Sequence, residues 1–140
     1  MIDIENETDT KIDLGLLENI AKSIISQDVE IILTDNETIQ NYNREYRNID
    51  KPTDVLSFPI ENISGHEPAG TIVISLEYAK NTIGSFGHSL EQESALLLIH
   101  GLLHLQGYDH EVDNGEMREK EKYWIKHFNL PESLIVRTEN

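Results

Sequence analysis

Hydrophobic and polar residues alternate along short stretches of the chain, which is the pattern of half-buried β-strands. Isoleucines alternate with acids in residues 2–4, apolar residues recur at every second position in residues 29–33, and residues 55–58 form a short apolar run that stops at Pro59. Residues 71–74 add a segment rich in β-branched side chains, which suit strands. The pattern therefore predicts four strands.

Other segments carry apolar residues at the three- and four-residue spacing of an amphipathic helix. We predict helices after Asp13, after Asp35 or Asn36, over residues 75 or 76 to 83, from 89 to about 106, and from 114 to 128. The aspartates can cap the helix ends that follow them. Strands and helices in this irregular order predict an α+β fold, with a mixed four-stranded sheet and packed helices.

Composition narrows the possible functions. A chain of 140 residues fits one domain, so we expect residues 1–140 to form a single unit. The absence of cysteine excludes disulfides, thiol nucleophiles and thiolate metal sites. A formal charge of −15 argues against a general nucleic-acid binder. Without a signal peptide or a long apolar run, we expect a cytoplasmic protein, with neither membrane nor DNA as a partner.

Three of the six histidines lie within eleven residues, at His100, His104 and His110. His100 and His104 are four positions apart in a helical segment, so their rings leave the same helix face. Gly107 can end the helix in a left-handed turn that brings His110 back toward them. Three imidazoles with a fourth position left for water are typical of catalytic zinc sites. The spacing predicts a metal site.

This histidine spacing is also that of the metzincin proteases, in which a glutamate follows the first histidine as general base. Here that position is Gly101, which cannot move a proton. The spacing favours a zinc metallopeptidase, while the missing base argues against one. Asp109 and Glu111 flank the third histidine and either orient an imidazole or lie in solvent.

Two blocks of sequence resemble the YbeY family of bacterial rRNA-maturation endoribonucleases. Residues 100–110 match its histidine signature, and residues 43–59 match a second motif that includes Arg47. The resemblance covers essentially the whole chain. It implies a zincin-like α+β domain in which His100, His104 and His110 hold one Zn²⁺, and it places the family's functionally important arginine on Arg47.

The implied activity is single-strand-specific endonucleolytic cleavage of rRNA precursors, in 16S rRNA 3′-end maturation and ribosome biogenesis and quality control. A metal held by three imidazoles brings the pKa of water toward about 7, so hydroxide or a neighbouring 2′-hydroxyl can attack a phosphate. The guanidinium of Arg47 suits the charge of the transition state, although a simple salt bridge is its alternative role. We expect weak RNA binding near Arg47 and Lys51, assisted by a ribosomal subunit or ribosomal proteins.

Two further expectations concern residues outside these motifs. Thr71 stands where the family usually has an aspartate, so we expect an acid near the cleft to be absent. The last helix carries a second basic group that interleaves with acids and predicts a solvated, salt-bridged face rather than an RNA track. The group is Arg118, Lys120, Lys122 and Lys126, and the acids are Glu116, Glu119 and Glu121. A non-catalytic ribosome-assembly factor with a structural metal is a third functional alternative.

Overall fold

One mixed β-sheet organises the described residues, which are 1–61, 63–84 and 87–131 of this computed structural model. Its four strands in that part of the chain are β1 (Ile2–Asn6), β2 (Val29–Thr34), β3 (Val55–Pro59) and β4 (Gly70–Ser75). Their order across the sheet is β1-β2-β4-β3. Strands β1, β2 and β4 run parallel to one another, whereas β3 pairs antiparallel with β4 and forms an edge of the sheet.

Helices connect the strands and continue after the last one. In the described part of the chain they are α1 (Leu14–Ile24), α2 (Asn36–Arg47), α3 (Leu76–Ile83), α4 (Leu90–Leu105) and α5 (Glu116–His127). Each corresponds to a helix predicted from the sequence, and the four strands also lie where the sequence predicted them. The α+β prediction is therefore confirmed. Among the described residues, no helix is both long and apolar enough to cross a membrane.

Polar side chains cap α1, α2 and α4 at the positions expected from the sequence. Asp13 accepts a hydrogen bond from the backbone N–H of Leu16 at 3.1 Å, and Asp35 accepts one from Thr38 at 2.9 Å. Ser89 and Gln92 form a reciprocal capping box at the start of α4. These bonds satisfy backbone donors that a helix leaves without partners in its first turn.

The longest helix, α4, is the centre of the hydrophobic core. Residues 93–99 and 101–103 of this helix are buried, where they pack with α1 and one face of the sheet. A smaller cluster under α2 covers the opposite face, with Ile32, Ile39, Leu56 and Val73 at its centre. Burial on nearly all sides explains the apolar run of residues 95–99 in α4. It also fixes the carboxyl-terminal half of α4 beside the edge strand β3.

Candidate metal centre

His100, His104 and His110 converge at the carboxyl-terminal end of α4. The Nε2 atoms of His100 and His104 lie 3.1 Å apart, and the ring of His110 is centred 5.5 and 5.9 Å from theirs. One nitrogen from each residue can be chosen so that all three lie within 4.8 Å of one another. This group could hold a metal ion, because ring nitrogens bind zinc at about 2.0–2.1 Å from a shared centre.

A sharp turn after α4 brings His110 to the other two histidines. The backbone N–H of Gly107 donates to the carbonyl of His104, and that of Tyr108 donates to Leu103, both at 3.0 Å. Gly107 has a φ of +98°, which glycine adopts without the steric cost that other residues incur. The left-handed turn predicted at this position is thus present. It reverses the chain within a few residues of the last helical turn.

A carboxylate that the sequence analysis assigned to a solvated face lies buried against this group. Glu121 is 3% exposed, and its Oε1 lies 2.8 Å from Nδ1 of His100. The expectation of a solvated face was therefore wrong for Glu121. The overlooked signal is its spacing: Met117 and Ile125, four residues to either side, are both buried, so Glu121 belongs to the inward stripe of α5.

The bond to Glu121 decides which nitrogen of His100 faces the other histidines. An ionised carboxylate only accepts hydrogen bonds, so Nδ1 of His100 carries the proton and donates it. The Nε2 lone pair is then left facing His104. Burial lowers the pKa of His104, and the positive charges of His100 and His110 when protonated lower it further. Neutral imidazoles present lone pairs, which a divalent transition metal requires. The donor set therefore fits a metal.

Arg47 lines the same cleft as the three histidines. The cleft has a volume of about 360 Å³ and an open mouth, and edge strand β3 forms one wall. Its other lining residues include the acids Asp54, Asp109 and Glu111. Arg47 is the last residue of α2, and its side chain is exposed. The structure thus brings together the four residues that the sequence singled out, from segments more than fifty positions apart.

Gly101 occupies a position with little room for a side chain. A Cβ placed there would lie 3.0 Å from Cγ2 of Ile72 and 3.1 Å from Oγ of Ser57. Ser57 donates a hydrogen bond to the carbonyl of Gly101 at 3.2 Å. Close packing of α4 on the sheet therefore accounts for the glycine. The glutamate that metzincins carry at this position would need that space.

Thr71 and the other three histidines lie outside the cleft lining. Thr71 donates to Glu30 at 3.2 Å and borders a different depression with Met1 and Asp28, so an acid at position 71 would not line the histidine cleft. We expected position 71, where the family usually has an aspartate, to lie near the cleft, and this expectation was wrong. His88 is buried with its Nε2 2.7 Å from Glu93, whereas His66 and His127 are exposed.

Comparisons with known proteins identify the family of this chain. A family model described as Endoribonuclease YbeY matches residues 3–129. Proteins named Endoribonuclease YbeY from Nautilia profundicola and Sulfurovum sp. are 54% and 49% identical to this chain. The alignments cover 100% and 99% of this chain and 100% and 98% of theirs.

A solved structure also shares the fold. The solution structure of TM1509 from Thermotoga maritima is 31% identical and superposes with a TM-score of 0.62, covering 99% of this chain and 92% of that one. Relatives of this identity over their full length, together with the family match, establish common membership. The chain belongs to the Endoribonuclease YbeY family.

Proposed function

We propose that this chain is a metal-dependent endoribonuclease that cleaves single-stranded rRNA precursors, in 16S rRNA 3′-end maturation and in ribosome biogenesis and quality control. The family relatives are endoribonucleases by name. The observation that carries the proposal is the shared cleft of Arg47 and the three histidines. It combines a phosphate-binding cation with a group of metal donors in one open site.

His100, His104 and His110 would hold one Zn²⁺ per chain. Three nitrogen donors without thiolate or carboxylate are a ligand set found in hydrolytic zinc enzymes. When bound, the ion supplies Lewis acidity toward a phosphoryl oxygen and makes water more acidic. Glu121 orients the ring of His100 and leaves Nε2 free to bind the metal, since its carboxylate accepts a hydrogen bond from Nδ1–H.

Arg47 binds the scissile phosphate. Its guanidinium carries two parallel N–H donors that match two phosphate oxygens, and it remains charged at any physiological pH. Negative charge increases on the phosphoryl oxygens in the transition state, so this bond strengthens as the reaction proceeds. The attacking oxygen comes from water or from the neighbouring 2′-hydroxyl. Only the second route gives a 2′,3′-cyclic phosphate, so the product ends distinguish the two.

The structure supports the nuclease over the two alternatives. A metzincin-type peptidase needs a carboxylate at position 101, where the contacts with Ile72 and Ser57 leave little room. A purely structural metal is normally enclosed by four protein ligands. Here His110 is exposed and the group borders an open cleft, which leaves space for a substrate phosphate.

The net charge of the chain determines how strongly it can bind RNA by itself. With 26 acids against 11 lysines and arginines, the surface as a whole repels a polyanion. RNA binding therefore depends on a few local cations and on the metal, and it is weak and sensitive to salt. A ribosomal subunit or its proteins would supply the targeting, which places the protein in the cytoplasm with its rRNA substrate.

Cleavage of two substrates by the zinc-loaded protein tests this function. We expect single-stranded RNA to be cut and casein to remain intact. His104→Ala and Arg47→Ala should each abolish most RNA cleavage, and only His104→Ala should reduce the zinc content. Cleavage of casein with inert RNA would instead establish the peptidase. Zinc binding without turnover of either substrate would favour the assembly factor.

A further inference from the structure

Three aromatic rings form a contiguous cluster on the α2 side of the sheet, next to the edge strand. Tyr46 lies 6.2 Å from Tyr42, with the rings nearly parallel, and 5.3 Å from Phe58 in an edge-to-face contact. Tyr42 and Phe58 lie 6.1 Å apart and are partly buried against the smaller core. These two rings hold Tyr46 in place from below, so we call the three residues the aromatic platform.

Tyr46 itself remains 65% exposed although its ring contacts two aromatic neighbours. Its outer face is therefore open to solvent while its position is supported by the other two rings. A rigidly supported aromatic face in solvent is the feature on which single-stranded nucleic acids stack their bases. Such stacking is indifferent to base identity because every base has a π-face.

The platform is next to the cleft in the chain at two places. Tyr46 directly precedes Arg47, which lines the cleft, and Phe58 stands between Ser57 and Pro59, which also line it. Successive residues of β3 point to opposite faces of the sheet, so the free edge of β3 separates the platform from the cleft. A nucleic-acid strand that extends across this edge, from the platform to the cleft, would pass Arg47.

We propose that Tyr46 stacks an unpaired nucleobase of the single-stranded RNA whose phosphate is held at Arg47. This inference rests on the proposed nuclease function and adds a base-binding subsite to it. Arg47 directly follows Tyr46 in the chain and lines the cleft, so it supplies a cation for the phosphate of the stacked nucleotide. Inside a duplex both faces of a base are covered by its stacked neighbours, so the subsite selects single strands over duplex.

Equilibrium binding of zinc-loaded protein to 2′-O-methylated single-stranded RNA tests the subsite independently of cleavage. Fluorescence anisotropy is measured with the intact strand and with a series in which one base at a time is replaced by an abasic residue. The strand is recovered afterwards to verify that it is uncut. We expect Tyr46→Ala to weaken binding of the intact strand by about tenfold, as is typical for loss of one stacked base.

At one position of the series, wild type should bind the abasic strand about tenfold more weakly than the intact strand. Tyr46→Ala should bind that abasic strand and the intact strand equally well, because the stacking contact is already lost. Tyr46→Phe keeps the ring and should bind like wild type. Tyr78→Ala removes another exposed tyrosine, outside the cleft lining, and serves as the matched control. Equal binding by wild type and Tyr46→Ala, or equal sensitivity of both to every abasic position, would overturn the subsite.

Failure of this inference differs from failure of the proposed function. If wild type cleaves unmodified RNA but Tyr46→Ala binds and cleaves as well as wild type, the nuclease stands and the subsite is wrong. If wild type leaves unmodified RNA intact yet shows the abasic pattern, the base-binding subsite stands and the nuclease assignment is wrong.

Discussion

Oε1 of Glu121 lies 2.8 Å from Nδ1 of His100, although the two residues are 21 positions apart and belong to different helices. The side chain of Glu121 is 4% exposed, and that of His100 is 27% exposed. A carboxylate this buried needs a hydrogen-bond donor, and the imidazole supplies it. The contact couples the packing of α5 on α4 to the orientation of a metal donor.

Replacement of Glu121 by glutamine should weaken zinc binding by about 10–100-fold, the usual effect of losing a partner that orients a metal ligand. The amide keeps the size of the side chain but removes the charge that holds the proton on Nδ1. Zinc affinity can be measured by competition with a chromophoric chelator. Glu119→Gln, on the same helix but with a 76% exposed side chain, is the matched control and should bind zinc like wild type. Equal affinity in the two variants would argue against the orienting role.

Gly101→Ala should destabilise the fold despite the better helix propensity of alanine. The new Cβ would press on Ile72, which is fully buried, and on Ser57, which is hydrogen-bonded to the backbone of Gly101. Overpacking of this kind costs about 1–3 kcal/mol, against a propensity gain of about 1 kcal/mol at most. Urea unfolding measures the difference. Gly84→Ala, with no neighbouring atom within 4 Å of the new Cβ, should not destabilise. A stabilised Gly101→Ala protein would contradict the packing argument.

Arg47→Lys should lower kcat/KM for single-stranded RNA while leaving one zinc per chain. Lysine retains the positive charge but not the two parallel donors, so the loss should be smaller than the roughly 10²–10³-fold expected for Arg47→Ala. Arg44→Lys provides a control on the same helix, since Arg44 pairs with Asp50 at 3.5 Å and does not line the cleft. Unchanged cleavage by Arg47→Ala would remove Arg47 from the reaction.

Asp35 gives α2, the helix that ends at Arg47, a stability that depends on pH. Hydrogen bonds from the backbone and side chain of Thr38 hold the pKa of Asp35 below its ordinary value of 3.8. Because the folded-state pKa is the lower one, the charge-dependent stabilisation is complete above pH 3.8 and is lost as pH falls through the folded-state value. Asp35→Ala should therefore cost about 1 kcal/mol at neutral pH and progressively less in acid.

Asp35→Asn separates the two contributions of this cap. Asparagine keeps an oxygen that accepts from Thr38 but does not titrate, so the stability of this variant relative to Asp35→Ala should not change between neutral and acidic pH. Urea unfolding over that range checks both variants. A constant difference between wild type and Asp35→Ala down to the lowest pH would show that the charge contributes nothing.

Much of the fold was predictable because its signals are local. Alternation, a short apolar run and β-branched residues identified the strands, and side-chain caps such as Asp35 and Ser89 marked helix starts. All of these signals depend on residues within a few positions of each other. The convergence of the histidines was likewise predictable from the helical spacing of His100 and His104 and from the glycine that turns the chain. The order of strands, with β3 at the edge beside the site, depends on distant pairings that no local pattern encodes.

Buried acids were the part that sequence reasoning missed. Glu121 alternates with lysines in the sequence and looks like a surface residue, but the packing of α5 turns it toward His100. Glu93 near the start of α4 is also buried, with its carboxylate 2.7 Å from Nε2 of His88. For Glu121 the histidine that compensates the burial of the carboxylate belongs to another helix, so that pairing appears only once α4 and α5 are packed.

Titration of zinc into chelator-treated protein, with cleavage of single-stranded RNA followed at each addition, tests the central claim most directly. Activity should be absent at the start, rise in proportion to added zinc and level off at one equivalent per chain, and His100→Ala should stay inactive throughout. Full cleavage by the metal-free protein, or no cleavage after one equivalent has bound, would contradict a metal-dependent nuclease centred on the three histidines.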